Sequence, residues 1–209
     1  MSNYFSYLPN VYVRTATYRQ NNVDPYILTK NLFRRVKIRD DVEGFITGFT
    51  QYTIVNNERP DNVSMKMYGD PEYDWVILMT NNITNLYDEW PMTEDELYKY
   101  CVSTYDSPEG IHHHESQEVK DQNGNIILKA GLTIPHNFTY RRPDGTMVPP
   151  SELIVPITNY EHEAKKNDFK RNIYVLRRPF LTTFLEEFQT LVEYEDSREV
   201  DSNTGVKKT

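Results

Sequence analysis

The chain lacks the features that mark secreted and membrane-spanning proteins. Its 209 residues include a single cysteine, Cys101, so no disulfide can form within the chain. This composition fits a reducing compartment without requiring one. No run of about 18 apolar residues occurs, and we expect no membrane-spanning helix. Because the first ten residues have neither the charged nor the apolar region of a signal peptide, we do not expect ordinary secretion.

Common catalytic motifs are also missing. With only eight glycines the chain has no GxGxxG pattern and no P-loop, so we expect no site that cradles nucleotide phosphates. His112, His113 and His114 form the one metal-like cluster. Metal ligands are usually separated in sequence, and adjacent side chains point in different directions on a helix or strand. We therefore predict an exposed or partner-facing loop there, with no metal and no cofactor, and a buried, structural Cys101.

The chain has fewer basic than acidic residues. The chain has 31 acidic and 23 basic residues and a net charge of −8. Nucleic acids and anionic membranes both reward positive charge, so neither is expected to be a main partner.

Aromatic residues, in contrast, are abundant. Sixteen tyrosines, nine phenylalanines and two tryptophans provide large apolar areas for a core, and tyrosine also suits interfaces. The mean hydropathy of −0.71 is low for a self-sufficient globule. Either the protein completes its burial against partners or its surface is simply polar.

Residues 52–91 read as one compact unit of a strand and two helices. The strand at 52–55 leads to a helix that Pro60 and Asp61 begin, because proline cannot continue a preceding helix and aspartate is a good N-cap. Gly69 ends this helix.

The second helix of this unit has clear signals at both ends. Asp70 is the predicted cap, Pro71 takes the first helical position, and the helix ends at Asn81 and Asn82, whose side chains tolerate left-handed geometry. Its predicted buried face consists of Trp75, Val76, Leu78 and Met79.

The N-terminal segment has weaker signals. Residues 2–24 show no sustained helical period and are predicted to form an extended arm whose aromatic anchors, including Tyr4 and Phe5, dock on this domain or on a neighbour. Some apolar spacings in residues 27–41 suit one face of a helix. Arg34 and Arg35 belong to a basic stretch that is either a solvated face or a contact with an acidic partner.

The second half alternates between irregular and ordered segments. A capping box at Thr93 and Glu96 predicts a helix at 93–101. Turn signals within 102–150 predict one or two hairpins. The later segments with predicted structure are strands near Val119, 126–128, 137–141 and 173–176, and an extended segment at 154–157. An amphipathic helix is predicted at 180–195, with apolar positions Phe180, Leu181, Phe184, Leu185, Phe188, Leu191 and Val192.

Three sequence motifs together resemble a LysM module. They are the strand Tyr52-Thr53-Ile54-Val55, the pair Tyr68-Gly69 and the turn Asn81-Asn82-Ile83. Together with shorter motifs on either side of them, they make the sequence resemble the LysM-like baseplate wedge proteins of T-even-like contractile-tailed phages, the baseplate wedge protein 53 family. The resemblance extends to about residue 100 and returns near 170–188. These shorter motifs are Tyr4-Phe5, Leu8-Pro9, Lys30 to Val36, Glu58-Arg59-Pro60-Asp61, Gly69-Asp70-Pro71, Asp74 to Leu78 and Trp90-Pro91.

This resemblance implies an α+β protein with a small LysM-like strand–helix–helix core, an extended N-terminal arm and a C-terminal region of short strands plus an amphipathic helix. We expect an arm and helix at 1–50, the core at 51–101, a loop-rich insertion with β-hairpins at 102–150, and a C-terminal strand and helix with a frayed tail at 151–209.

The resemblance also implies a non-enzymatic structural subunit of the virion tail baseplate, assembled in the host cytoplasm. It would clamp wedge subunits to one another and toward central hub and tube proteins, in six copies or a multiple. The residues expected to form the LysM-like core are Tyr52, Ile54, Pro60, Asp61, Tyr68, Gly69, Trp75, Leu78, Asn81, Asn82 and Trp90. The candidate partner contacts are Tyr4, Phe5, Arg34, Arg35, Phe180, Phe184 and Phe188.

Two alternatives remain. A LysM-type module that binds peptidoglycan needs an open groove and a closing strand, but here Trp90-Pro91-Met92 runs into another helix. The segment Leu132-Thr133-Ile134-Pro135 resembles a closing segment but lies some forty residues further along the chain. A weaker alternative is a metal-dependent hydrolase built on residues 112–114.

Overall fold

The computed structural model describes residues 3–14, 26–34, 36, 47–55, 57–121, 123–142, 145–194 and 206–208. Helices and short strands are mixed along the chain and the sheets are small, which confirms the predicted α+β class. Within these residues, no helix combines the length and apolar character needed to cross a membrane.

The secondary structure elements are short. The strands are β1 Asn10–Arg14, β2 Tyr26–Lys30, β3 Phe49–Thr53, β4 Ile111–Ser116, β5 Val119–Lys120, β6 Ile126–Leu128, β7 Thr133–Ile134, β8 Tyr140–Arg141, β9 Met147–Val148, β10 Ile154–Thr158, β11 Asn172–Leu176 and β12 Lys207–Lys208. The α-helices are α1 Tyr4–Tyr7, α2 Pro60–Tyr68, α3 Asp74–Thr80, α4 Leu86–Glu89, α5 Glu94–Tyr105, α6 Pro150–Leu153, α7 Asn159–Lys170 and α8 Leu181–Val192. Two 3-10 turns, Pro71–Tyr73 and Arg178–Phe180, precede α3 and α8.

The chain divides into two compact units. Unit 1 comprises Met1–Trp90 and Asn172–Thr209, and unit 2 comprises Pro91–Arg171.

Unit 1 is closed by a strand that comes from far along the sequence. Strand β3 pairs antiparallel with β11, in a register that runs from Thr53 opposite Asn172 to Phe49 opposite Leu176. Helices α2 and α3 lie between these strands in chain order and pack against each other. The predicted strand at 173–176 is therefore confirmed, and it completes a strand–helix–helix–strand arrangement.

Local sequence signals explain most of the boundaries of α2 and α3. Pro60 occupies the first turn of α2, and Gly69 ends the helix with φ of 83°, a left-handed conformation that costs glycine little. The carboxylate of Asp70 accepts a hydrogen bond from the backbone N–H of Glu72, as its predicted capping role requires. The predicted N-cap Asp61 is wrong, since Arg59 holds that position and Asp61 lies inside the first turn.

Residues 3–14, the described part of the predicted extended arm, belong to the fold of unit 1 and begin with a helix. The side chain of Asn3 accepts a hydrogen bond from the backbone N–H of Ser6 and thereby caps the short helix α1. Tyr4 and Tyr7 then lie against Trp75, each with its ring centroid 5.6 Å from that of the indole. Of the two sites considered for this arm, its own domain is the one it occupies.

The predicted helical face in residues 27–41 is wrong where the structure describes it. Strand β2 covers the first part and pairs antiparallel with β1, whose other edge carries β12. A short apolar run does not separate strand from helix by periodicity alone, and pairing with β1 decides the outcome here. Residues 35 and 37–41 lie outside the described part of the chain.

Unit 2 combines a three-stranded sheet with two hairpins and helices. The sheet has the order β10-β4-β7, and the hairpins pair β5 with β6 and β8 with β9, as the turn signals predicted. Helices α5 and α7 pack together. Cys101 lies buried on α5, which confirms its predicted burial, and burial raises the pKa of its thiol.

Both long helices of unit 2 begin with a capping box. In α5 the predicted pair is confirmed: the Thr93 hydroxyl accepts from the backbone N–H of Glu96, whose carboxylate accepts from the backbone N–H of Thr93. Thr158 and Glu161 repeat the arrangement in α7. These hydrogen bonds hold the pKa of Glu96 and Glu161 below the ordinary glutamate value of 4.5.

We expect Glu96→Gln to destabilise unit 2 near neutral pH and to have progressively less effect in acid. A carboxylate with a depressed pKa stabilises the fold above its unfolded pKa, and this contribution disappears as the pH falls through its folded pKa. Urea titrations followed by circular dichroism at about pH 7 and about pH 3 measure the difference. The exposed Glu109→Gln is the matched control. An effect of Glu96→Gln that is equal at both pH values contradicts the assignment.

Candidate assembly surface

The residues predicted for the LysM-like core mostly build the interior of unit 1. Ile54, Pro60, Tyr68, Trp75 and Trp90 are buried, Tyr52, Asp61, Leu78 and Asn81 are half-buried, and Gly69 and Asn82 are exposed. Their immediate role is therefore packing and chain geometry. Asn82 has φ of 54°, in agreement with its predicted place at the end of the second helix.

Sequence reasoning missed a buried carboxylate in this interior. Glu58 is 8% exposed, accepts a hydrogen bond of 2.7 Å from the hydroxyl of Tyr52 and forms an ion pair with Lys66. Its backbone carbonyl accepts a 2.9 Å hydrogen bond from the indole N–H of Trp90. Glu58 thus connects the end of the strand with α2 and with the last residue before unit 2. The sequence signal that could have identified Glu58 is its place in the motif Glu58-Arg59-Pro60-Asp61.

The aromatic partner-contact candidates divide by exposure. Phe5 and Phe180 are exposed and remain predicted contacts, whereas Tyr4 and Phe184 pack partly buried against the core. Phe188 is only 2% exposed, because its position on α8 faces inward. Phe188 is therefore a core residue, and the prediction that it contacts a partner directly is wrong.

Arg34 also has partners within unit 1. Its guanidinium donates hydrogen bonds to the backbone carbonyls of Val192 at 3.1 Å and Glu193 at 2.8 Å. A cation at this position satisfies the free carbonyls of the C-terminal end of α8 and complements the helix dipole. These hydrogen bonds show an intramolecular role for Arg34, and its contact with a partner stays a prediction. Arg35 lies outside the described residues.

An exposed apolar surface lies on β2 and the turn after it. We define the β2 surface as Tyr26, Ile27, Leu28, Leu32 and Phe33, whose exposed fractions run from 37% for Tyr26 to 98% for Phe33. Among the described strands, β2 pairs only with β1 and is therefore an edge strand. Edge strands are common places for another chain to bind. A groove lined by residues that include Val11, Val13 and Leu32 runs beside it.

Unit 2 contains a histidine cluster that the sequence did not predict. His112 and His113 belong to β4 rather than to a loop, and His162 of α7 joins them. His114 does not take part and lies near His136, with ring centroids 6.4 Å apart. His162 was missed because it follows His113 by 49 residues in sequence and shows no ligand spacing with it.

Comparison with known proteins points to one family. Residues 5–191 match the family described as Base plate wedge protein 53. The chain is also 22% identical over 179 residues to the Baseplate wedge protein gp53 of Enterobacteria phage T4. That alignment covers 83% of this chain and 88% of the phage T4 protein. The family match begins within α1 and ends within α8, so it includes residues of both units.

Proposed function

Because the chain belongs to the Base plate wedge protein 53 family and is a structural component of a phage tail baseplate rather than an enzyme, we propose that it clamps neighbouring wedge subunits together and toward the central hub. It is a component of the virion tail and interacts with other baseplate components. Six copies per baseplate, one in each wedge, would follow from this role.

The β2 surface is the observation that carries the proposal. Soluble monomers rarely expose contiguous apolar patches, and such patches commonly mark protein–protein interfaces. Here the exposed apolar side chains lie on both faces of an edge strand and on the turn after it, so a neighbouring subunit can bind them along that edge. Phe33, which is 98% exposed, is the most prominent apolar anchor on this surface.

The core of unit 1 has a supporting role in this proposal. We infer that β3, α2, α3 and β11 form the LysM-like element, in which β11 and not residues 132–135 acts as the closing strand. This element would hold β2, α1 and α8 in a fixed geometry for assembly. Peptidoglycan binding is the competing use of such an element, and retention of the purified chain on cell wall, released by chitin fragments, would favour it.

We expect Leu28→Arg and Phe33→Arg to reduce incorporation of the chain into wedges by tenfold or more. A buried unpaired charge at the centre of an apolar interface costs several kcal/mol, which exceeds the roughly 1.4 kcal/mol that corresponds to a tenfold change. Reconstitution with the other baseplate proteins of the same phage, followed by native mass spectrometry, measures incorporation and copy number.

The matched control is Phe169→Arg. Phe169 is 74% exposed but lies on α7, outside the β2 surface. The control should assemble like the unchanged chain, and tryptophan fluorescence should show that unit 1 stays folded in every variant. Normal incorporation of Leu28→Arg and Phe33→Arg would exclude the β2 surface as the contact, while a loss with Phe169→Arg alone would move the contact to unit 2.

A further inference from the structure

Three imidazoles converge in unit 2 from two separate elements. His112 and His113 come from β4, and His162 is the fourth residue of α7. Each offers a ring nitrogen, and these three nitrogens lie within 4.8 Å of one another. The rings of His112 and His162 are stacked with their centroids 3.8 Å apart, and the Nδ1 atoms of His112 and His113 are 2.8 Å apart.

A β-bulge explains why two consecutive histidines face the same way. On β10, Ile157 pairs with His113 and Thr158 pairs with Ile111, so His112 is the extra residue in β4. A bulge inserts one unpaired residue and redirects its side chain, which breaks the alternation expected of a regular strand. His114 follows the regular alternation and stays outside the cluster.

A carboxylate orients His113 from the side opposite the cluster. Its Nδ1 faces His112, while its Nε2 lies 3.3 Å from Oε1 of Glu115. Lys165 in turn donates a hydrogen bond of 3.0 Å to the same carboxylate oxygen. Histidine ligands of metal ions commonly donate their second ring N–H to a carboxylate in this way, which sets the tautomer and the ring orientation.

We propose that His112, His113 and His162 bind one transition-metal dication of the kind that prefers imidazole, with Zn²⁺ as the representative ion. Imidazole nitrogen suits Zn²⁺, Cu²⁺ and Ni²⁺, whereas Ca²⁺ and Mg²⁺ prefer oxygen ligands. Three protein ligands around a tetrahedral ion leave a fourth position for water.

The present spacing suits such an ion after small ring movements. Ligand nitrogens around tetrahedral Zn²⁺ lie about 3.3 Å apart, and rotation about the terminal imidazole torsion is inexpensive. His112 is exposed on its solvent side. The ion would tie β4 to α7 and stabilise unit 2.

Calorimetric titration of the full-length chain with ZnCl₂ tests the site. We expect saturable binding of one Zn²⁺ per chain, weakened about 100-fold or more in His112→Ala and in His162→Gln, because loss even of an outer partner of a metal ligand costs 10–100-fold in affinity. His114→Ala, on the same strand but outside the cluster, should bind like the unchanged chain. Co²⁺ in place of Zn²⁺ should produce a visible absorption band that the same two variants lose.

Amide hydrogen exchange locates the effect. Zn²⁺ should slow exchange in β4 and α7 of the unchanged chain and of His114→Ala, but not in His162→Gln. Absence of saturable 1:1 binding by the unchanged chain overturns the proposal. So does binding that survives both His112→Ala and His162→Gln, or that is lost equally in His114→Ala. Because His112 is exposed, its variant remains a valid test even if His162→Gln fails to fold.

Discussion

Phe188→Ala is expected to destabilise unit 1 by about 3–5 kcal/mol, the usual cost of truncating a fully buried phenylalanine. The ring of Phe188 lies at the centre of an aromatic cluster, 4.8 Å from Trp75, 5.8 Å from Tyr4 and 6.0 Å from Tyr7, measured between ring centroids. Its removal leaves a cavity between α8, α3 and α1. The surrounding side chains usually close such a cavity only in part, which adds to the cost of the substitution.

Tryptophan fluorescence in a urea titration measures this loss for unit 1 alone. Trp75 and Trp90 are the only tryptophans of the chain, and both belong to unit 1. The matched control, Phe169→Ala, removes a 74% exposed ring and should change the free energy of unfolding by about 0.5 kcal/mol or less. Equal stability of Phe188→Ala and Phe169→Ala would contradict the buried position and restore Phe188 as a candidate for partner contact.

Asn81→Ala should cost unit 1 about 2–3 kcal/mol, the sum of several hydrogen bonds at roughly 1 kcal/mol each. The amide of Asn81 donates to the carbonyls of Tyr174 at 2.7 Å and Ile77 at 2.8 Å, and its oxygen accepts from the N–H of Tyr174 at 2.8 Å. Among the described strands β11 pairs only with β3, so the side chain of Asn81 takes the place of a neighbouring strand along its other edge.

The same fluorescence titration applies to Asn81→Ala. Asn62→Ala, an exposed position on α2, provides the matched control and should leave the urea midpoint nearly unchanged. Asn81→Asp separates the contributions, because it keeps the acceptor for Tyr174 but loses both donated hydrogen bonds. An unchanged midpoint in Asn81→Ala would show that β11 is held to β3 without this connection.

Elements bounded by local chemistry were predictable from the sequence. The ends of α2 and α3 depend on Pro60, Gly69 and Asp70, and the start of α5 depends on Thr93 and Glu96. Each of these signals acts over four residues or fewer, so it can be read without knowledge of the rest of the fold. The misplaced cap at Asp61 is an error of two residues within an otherwise correct helix.

Elements that depend on distant partners were not predictable in this way. Strand β2 has apolar spacings that also suit a helix, and only pairing with β1 decides between them. The sequence presents Arg34 only as a charged residue in a basic stretch. Its hydrogen bonds to three backbone carbonyls at the end of α8 depend on the tertiary structure. The histidine cluster needed both a bulge in β4 and the return of the chain through α7, neither of which leaves a periodic signal.

The sequence by itself determined the class of the protein, the strand–helix–helix segment around residues 52–91 and its place in a family of baseplate wedge proteins, because these depend on composition, short-range caps and motifs. Only the tertiary structure decided that β11 completes this segment, that Phe188 lies inside while Phe33 lies outside, and that His162 meets His112 and His113. The physical reason is that side-chain exposure depends on strand register and on contacts between residues far apart in the chain, which no local pattern records.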